Sequence, residues 1–130
     1  MTNKAPKKER ATPLILIVDD EPEIRKLLRD FLEREGFAVD EASNGATGLT
    51  KAMEVRPDVM LLDQRLPDFA GIEIHQHLVT VGIKIPTVMM SQHPGADQMR
   101  KLHHIQYFVP KPLDFKEMVA AIRQLLKPGK

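Results

Sequence analysis

The strongest constraint on this chain is a repeated pattern: a short apolar run stops at a polar residue, and a helical pattern follows. Leu14-Ile15-Leu16-Ile17-Val18 is apolar at every position, as a strand must be when both its faces are covered, and it stops at Asp19-Asp20-Glu21-Pro22. Pro22 suits the first turn of a helix, where its missing N–H costs nothing. Ile24, Leu27, Leu28, Phe31 and Leu32 then fall on one helical face, and Gly36 ends the helix. Phe37-Ala38-Val39 starts a weaker second strand, Ser43-Asn44-Gly45 signals a helix start, and Leu49, Ala52 and Met53 share a side of the helix that runs to about Val55. Val59-Met60-Leu61-Leu62 is a third run, ending in Asp63; a loop from Leu66 to Gly71 leads to a helix over 72–81. Thr87-Val88-Met89-Met90 ends at Ser91, and Tyr107-Phe108-Val109 ends at Pro110-Lys111-Pro112. The last helix presents Phe115, Met118, Val119, Ile122 and Leu125. Between the last two strands, Pro94 and Gly95 weaken the start of a fourth helix over 95–104, which is expected to be short or irregular. Five such alternations with short connections specify an α/β fold, a doubly wound five-stranded parallel sheet with helices on both faces.

In a sheet of this kind ligands bind outside the carboxyl ends of the strands. Asp19 and Asp20 follow the first strand, Asp63 the third, Ser91 the fourth and Lys111 the fifth, so polar groups from four strands converge on one edge. Clustered carboxylates raise one another's pKa unless a cation lies among them. Oxygen ligands without imidazole or thiolate select a hard divalent ion, for which magnesium is the natural candidate. Carboxylate, magnesium and ammonium together are what an incoming phosphoryl group needs: its charge is neutralised, and an aspartate can attack phosphorus to give an acyl phosphate.

Composition narrows the alternatives. The 130 residues contain no cysteine, which excludes disulfides, thiolate metal sites and a cysteine nucleophile. Hydrophobic residues at 42% and charged residues at 28% are the balance of a globular domain. Nineteen basic against 18 acidic residues give a net charge of +1, so bulk charge offers no reason to expect nucleic-acid binding. No apolar run is long enough to cross a bilayer, and the amino terminus lacks a signal peptide's apolar centre, so the expected compartment is the cytoplasm. Residues 1–13, with Lys4, Lys7, Lys8 and Arg10, read as a flexible basic tail, 14–127 as the domain, and 128–130 as a short C-terminal tail. His75 and His77 do not share a helical face and His103-His104 has no cysteine to help it, so a transition-metal site is not expected.

Val18-Asp19-Asp20-Glu21-Pro22, Leu62-Asp63-Gln64-Arg65-Leu66-Pro67, Ser91 and Lys111-Pro112 together resemble the receiver domain of bacterial two-component response regulators, over about Leu14 to Leu126. Each motif alone is weak; the four in order, at the ends of the right strands, are specific. The resemblance implies a flavodoxin-like sheet of order 2-1-3-4-5. It implies that Asp63 accepts a phosphoryl group from a histidine kinase or phosphotransfer protein. Asp20, Asp63 and the backbone carbonyl of Arg65 would hold Mg2+, with Asp19 acting mainly through bound water. Lys111 would pair with the phosphoryl oxygens, and Ser91 would swing toward them. The strand-5 aromatic Phe108 would then turn inward, with Tyr107 on the opposite side of the strand. Arg65 and His93 occupy positions that tune phosphoryl lifetime, and His93 would make that lifetime pH-sensitive near neutrality. The expected fourth helix, the fifth strand and the last helix would form the surface that docks a downstream partner or a second receiver.

Three departures from the family pattern stand out: the stretch between Ser91 and Lys111 is shorter than usual, His103-His104-Ile105-Gln106 replaces the customary Gly-Ala, and Gln92 replaces a small residue. They keep open a degenerate receiver that only binds partners. A phosphatase or dehalogenase using Asp63 as nucleophile fits poorly, because that class wants a second aspartate where Arg65 stands.

Overall fold

Nine elements follow one another in the computed structural model, which describes residues 10–91, 105 and 107–127. They are β1 (Leu14–Val18), α1 (Pro22–Arg34), β2 (Ala38–Ala42), α2 (Gly45–Val55), β3 (Val59–Asp63), α3 (Gly71–Thr80), β4 (Thr87–Ser91), β5 (Tyr107–Pro110) and the C-terminal helix, here α4 (Phe115–Leu126). The strands form one sheet in the order β2-β1-β3-β4-β5, every pair parallel. The expected order and class are both observed. The helix expected over 95–104 and His93 lie outside the described residues.

The continuous apolar runs are explained by two cores, one on each face. Ile15, Ile17, Leu61, Val88 and Met90 point to one side, where Leu28 and Leu32 of α1 and Met118 and Ile122 of α4 cover them. Leu16, Val18, Met60, Leu62 and Met89 point to the other, against Ala52 of α2 and Ile74 and Leu78 of α3. Alternate residues of one strand thus serve opposite cores. Edge strand β2 is only half-buried up to Ala42, so it tolerates Asp40 and Glu41. Two apolar residues assigned to the buried helix faces are exposed instead, Leu27 at 53% and Met53 at 39%. Each lies beside the buried line of its helix, which is Leu28 and Leu32 in α1 and Gly45, Gly48 and Ala52 in α2.

Arg10, in the segment expected to be tail, binds Asp58 at 2.9 Å and the carbonyl of Arg56 at 2.8 Å. Asp58 also accepts the N–H of Leu14, so the entry to β1 is tied to the entry to β3. These ties lie at the amino ends of the strands, leaving the carboxyl edge open for the site.

Candidate functional site

Strand pairing decides which residues meet at the carboxyl edge. Val18 lies opposite Leu62, Asp63 opposite Met90, and Ser91 opposite Pro110, so the residues that end β1, β3, β4 and β5 form one row. Asp19 extends β1 by one more rung, donating its N–H to Ala42 at 3.1 Å. It is fully buried, while its neighbour Asp20 is exposed. The doublet therefore offers one carboxylate from the floor of the pocket and one from its rim.

Lys111 ties this row together. Its Nζ donates to Asp19 Oδ2 at 3.0 Å and to Asp63 Oδ2 at 3.1 Å, with Glu21 Oε1 at 3.5 Å. The Lys111–Pro112 peptide is cis, and the Lys111 N–H bonds the Ser91 carbonyl at 3.2 Å. Asp19 Oδ1 accepts the N–H of Glu21 at 2.8 Å, and Asp63 Oδ1 accepts that of Arg65 at 3.3 Å. Ser91 is buried at the end of β4, one residue beyond the partner of Asp63.

The electrostatics follow from this geometry. Burial and then the neighbouring Asp19 charge push the Asp63 carboxyl up to about 6, against the pull of Lys111 and the Arg65 N–H. Burial alone would lower the Lys111 ammonium, but its bonds to Asp19 and Asp63 and their charges win and raise it. Lys111 brings one positive charge to three neighbouring carboxylates, so the pocket is net acidic. Carboxylate oxygens of Asp19, Asp20 and Asp63 all lie within 4.8 Å of one another, a hard oxygen set that suits a divalent cation.

The loop after Asp63 is held from several sides. Gln64 is buried; its side-chain oxygen accepts the N–H of Ile72 at 3.0 Å, fixing the start of α3. Arg65 and Ala70 form a bridge across the loop, and Arg65 itself is exposed. Asp68 accepts the N–H groups of Gly45 and Ala46 at 2.7 and 2.9 Å, joining the loop to the start of α2. At Gly71 a Cβ would fall on the Asp63 carbonyl oxygen, so α3 approaches the end of β3 as closely as backbone allows. Sequence reasoning singled out none of Glu21, Gln64, Asp68 and Gly71 as site residues. Glu21 had a signal, its place beside the aspartate doublet; the others act through contacts that spacing does not reveal.

Phe108 and Tyr107 face opposite ways: Phe108 packs with the α2–α3 core and Tyr107 with the α1–α4 core. Both line a groove of about 300 Å³ between β5 and α4, together with Glu117, Ala120 and Gln124.

Known proteins place this geometry. The family model of the response regulator receiver domain matches residues 15–123. The transcriptional regulatory protein ResD of Bacillus subtilis is 36% identical over 120 residues, which are 87% of this chain and 48% of ResD. Sporulation initiation phosphotransferase F of the same organism is 33% identical over 115 residues, 86% of this chain and 92% of that protein. The chain thus spans about half of one relative and nearly all of the other. Among solved structures, response regulator TrrA of Thermotoga maritima in complex with Mg2+-BeF superposes with a TM-score of 0.80 at 28% identity, covering 88% of this chain and all of that one. The receiver domain of Francisella response regulator 1452 superposes at 0.83 with 20% identity, covering 88% of this chain and 97% of its own, a likeness of fold. No helix among the described residues is long and apolar enough to cross a membrane. With the sheet order, the acidic edge and the lysine already accounted for, these matches lead to one conclusion: the chain belongs to the response regulator receiver domain family, whose members are phosphoacceptor signalling domains rather than classical enzymes.

Proposed function

We propose that Asp63 is the phosphoacceptor of this receiver and that it takes its phosphoryl group from a phosphohistidine of a histidine kinase or phosphotransfer protein in the cytoplasm. The observation that carries this reading is the placement of Asp63: buried, at a strand end, bonded to Lys111 and within reach of two further carboxylates. A carboxylate oxygen of Asp63 attacks phosphorus, the P–N bond breaks, and its electron pair stays on the imidazole. Lys111 then turns from the carboxylates to the phosphoryl oxygens. Asp19, Asp20, Asp63 and the Arg65 carbonyl would hold Mg2+, which supplies charge neutralisation to the phosphoryl oxygens. The TrrA complex with Mg2+-BeF supports this set by likeness.

The added charge of about −1.5 to −2 draws the Ser91 hydroxyl inward and biases Phe108, so β5 and α4 present a changed surface to a downstream partner or a second receiver. Arg65 and His93, two positions after Asp63 and Ser91 in the sequence, set the phosphoryl lifetime; a hydrolysis rate flat from about pH 6 to 8 would remove His93 from that role. Sporulation initiation phosphotransferase F, matched over nearly its whole length, supports a place in a phosphoryl relay.

Intact-mass analysis after incubation with acetyl phosphate and Mg2+ tests the reading. One added phosphoryl group is expected, absent in Asp63→Asn and in a metal-free sample. A chain that takes no phosphoryl group and binds no beryllofluoride would instead be a partner-binding pseudo-receiver, and an adduct that survives Asp63→Asn would mean a different nucleophile.

A further inference from the structure

The reading of Asp19 and Asp20 as metal ligands leaves open what orients them, and a side chain outside the acidic row answers that. Arg25, on the second turn of α1, donates from Nη1 to the backbone carbonyl of Asp19 at 2.7 Å and from Nε to Glu41 Oε1 of β2 at 3.0 Å. That carbonyl belongs to the peptide joining Asp19 to Asp20. Its direction sets the relation between the buried carboxylate and the exposed one. The Arg25 side chain is only 17% exposed, so its two bonds are made in a setting where water competes poorly.

An uncompensated guanidinium here would oppose the cation that the pocket is built to attract. Glu41 prevents this. It also accepts from Nε of Arg29, and Arg29 binds Glu33 at 2.9 Å, so Arg25, Arg29, Glu33 and Glu41 form a network of zero net charge. Burial opposes the ionised form of Glu41, but the hydrogen bonds from Arg29 and Arg25 win and hold its carboxyl below the usual range. The network thus supplies a rigid donor to the Asp19–Asp20 peptide without adding charge to the site.

We propose that Arg25 is a positioning residue for the divalent-cation site, fixing the Asp19–Asp20 peptide while Glu41 locks its guanidinium and cancels its charge. This rests on the reading of Asp19, Asp20 and Asp63 as the cation's ligands. Loss of such an outer partner costs about 10-fold or more in metal affinity. Because Arg25 touches neither the phosphoryl group nor its donor, the loss falls on metal binding and not on the chemical step.

Calorimetric titration with Mg2+, at a temperature where circular dichroism shows each variant folded, tests this. Alongside it, the rate of phosphorylation by acetyl phosphate is measured against Mg2+ concentration. Arg25→Met is expected to raise the Mg2+ dissociation constant about 10-fold and the half-saturating Mg2+ in step, with the rate at saturating Mg2+ within about twofold of wild type. Glu41→Gln, which keeps Arg25 but loosens it, is expected to give a smaller shift in the same direction. Arg123→Met, which breaks the exposed pair with Glu35 at 2.9 Å, is expected to leave both quantities unchanged. A folded Arg25→Met variant with wild-type Mg2+ affinity would overturn the proposal. If Arg25→Met does not fold, wild-type affinity in Glu41→Gln overturns it equally. Wild-type protein that binds no Mg2+ would sink the metal reading itself, an outcome distinct from the other two.

Discussion

At the scale of single residues, Asp63 combines two demands that conflict. As the proposed phosphoacceptor, it must be buried enough to meet Lys111 and ionised enough to attack phosphorus. Its carboxyl is pushed from 3.8 up to about 6 by burial and by Asp19, which means the fold disfavours its charge. For a carboxyl with a raised pKa, the stability present below the unfolded value is lost as pH rises through the folded one. Asp63→Asn removes that charge while keeping the shape. The full shift corresponds to about 3 kcal/mol, and screening by water at the pocket mouth reduces this to about 1–2 kcal/mol of stabilisation at pH 7.5. The gain should fall to about half near pH 5 and vanish below about pH 4. Urea unfolding of both proteins across this range checks it; a variant less stable than wild type at pH 7.5 would show that Lys111 needs Asp63 more than the pocket resents it. Asp63, Asp19 and Lys111 were legible in the sequence because each directly follows an apolar run, so the strand rule placed them on one edge. Arg25, Gln64 and Asp68 were not, because their partners lie on other elements and no local pattern records such a bond.

At the scale of elements, the strand runs revealed nearly all of the sheet, since burial on both faces leaves no polar position to blur a strand. The helices were legible in position but less so in width: Leu27 and Met53 belong to the apolar stripes by spacing yet face solvent. A stripe's breadth depends on how far the sheet extends beneath it, which a helix's own sequence does not encode. What the sequence hid most completely was close approach. A Cβ at Gly48 would lie 2.8 and 3.0 Å from the two γ-methyls of Val18, pressing α2 off β1. At Gly71 it would meet main chain, the carbonyl of Asp63, which cannot rotate away. Alanine improves helix propensity by about 1 kcal/mol at Gly48, inside α2, and by less at Gly71, the first residue of α3, and overpacking opposes it by about 1–3 kcal/mol. Gly48→Ala is therefore expected to be close to neutral or mildly destabilising, with beryllofluoride binding intact. Gly71→Ala is expected to be the more destabilising, and to weaken beryllofluoride binding as well, because α3 must move away from β3 and Asp63. Chemical denaturation and a calorimetric titration of the two variants separate these cases; equal binding by both would mean the position of α3 has no bearing on the site.

At the scale of the whole molecule, the site is where distant parts of the chain are fastened together. Lys111 reaches Asp19 across 92 positions and Asp63 across 48, so β1, β3 and the segment after β5 are held at one point. Lys111 supplies one positive charge to a cluster with three carboxylates within 4.8 Å of one another. Repulsion left in that cluster works against closing the sheet's carboxyl edge. A divalent cation bound there removes the repulsion and adds ligand bonds from two strand ends, so binding and folding are linked. At a Mg2+ concentration of about 100 times its dissociation constant, the linkage is worth about 2.7 kcal/mol. With about 2.1 cal/mol/K of unfolding entropy per residue, a chain of 130 residues should melt about 10 °C higher. A matched concentration of NaCl controls for screening, and EDTA should reverse the shift. In Asp20→Asn most of the shift should disappear, because the rim carboxylate is lost while the Lys111 clamp on Asp19 and Asp63 stays. The same shift in Asp20→Asn as in wild type would place the ion elsewhere on the molecule. No shift in wild type, with folding otherwise cooperative, would mean that Lys111 alone balances the cluster and that the acidic edge is a structural clamp rather than a cation site.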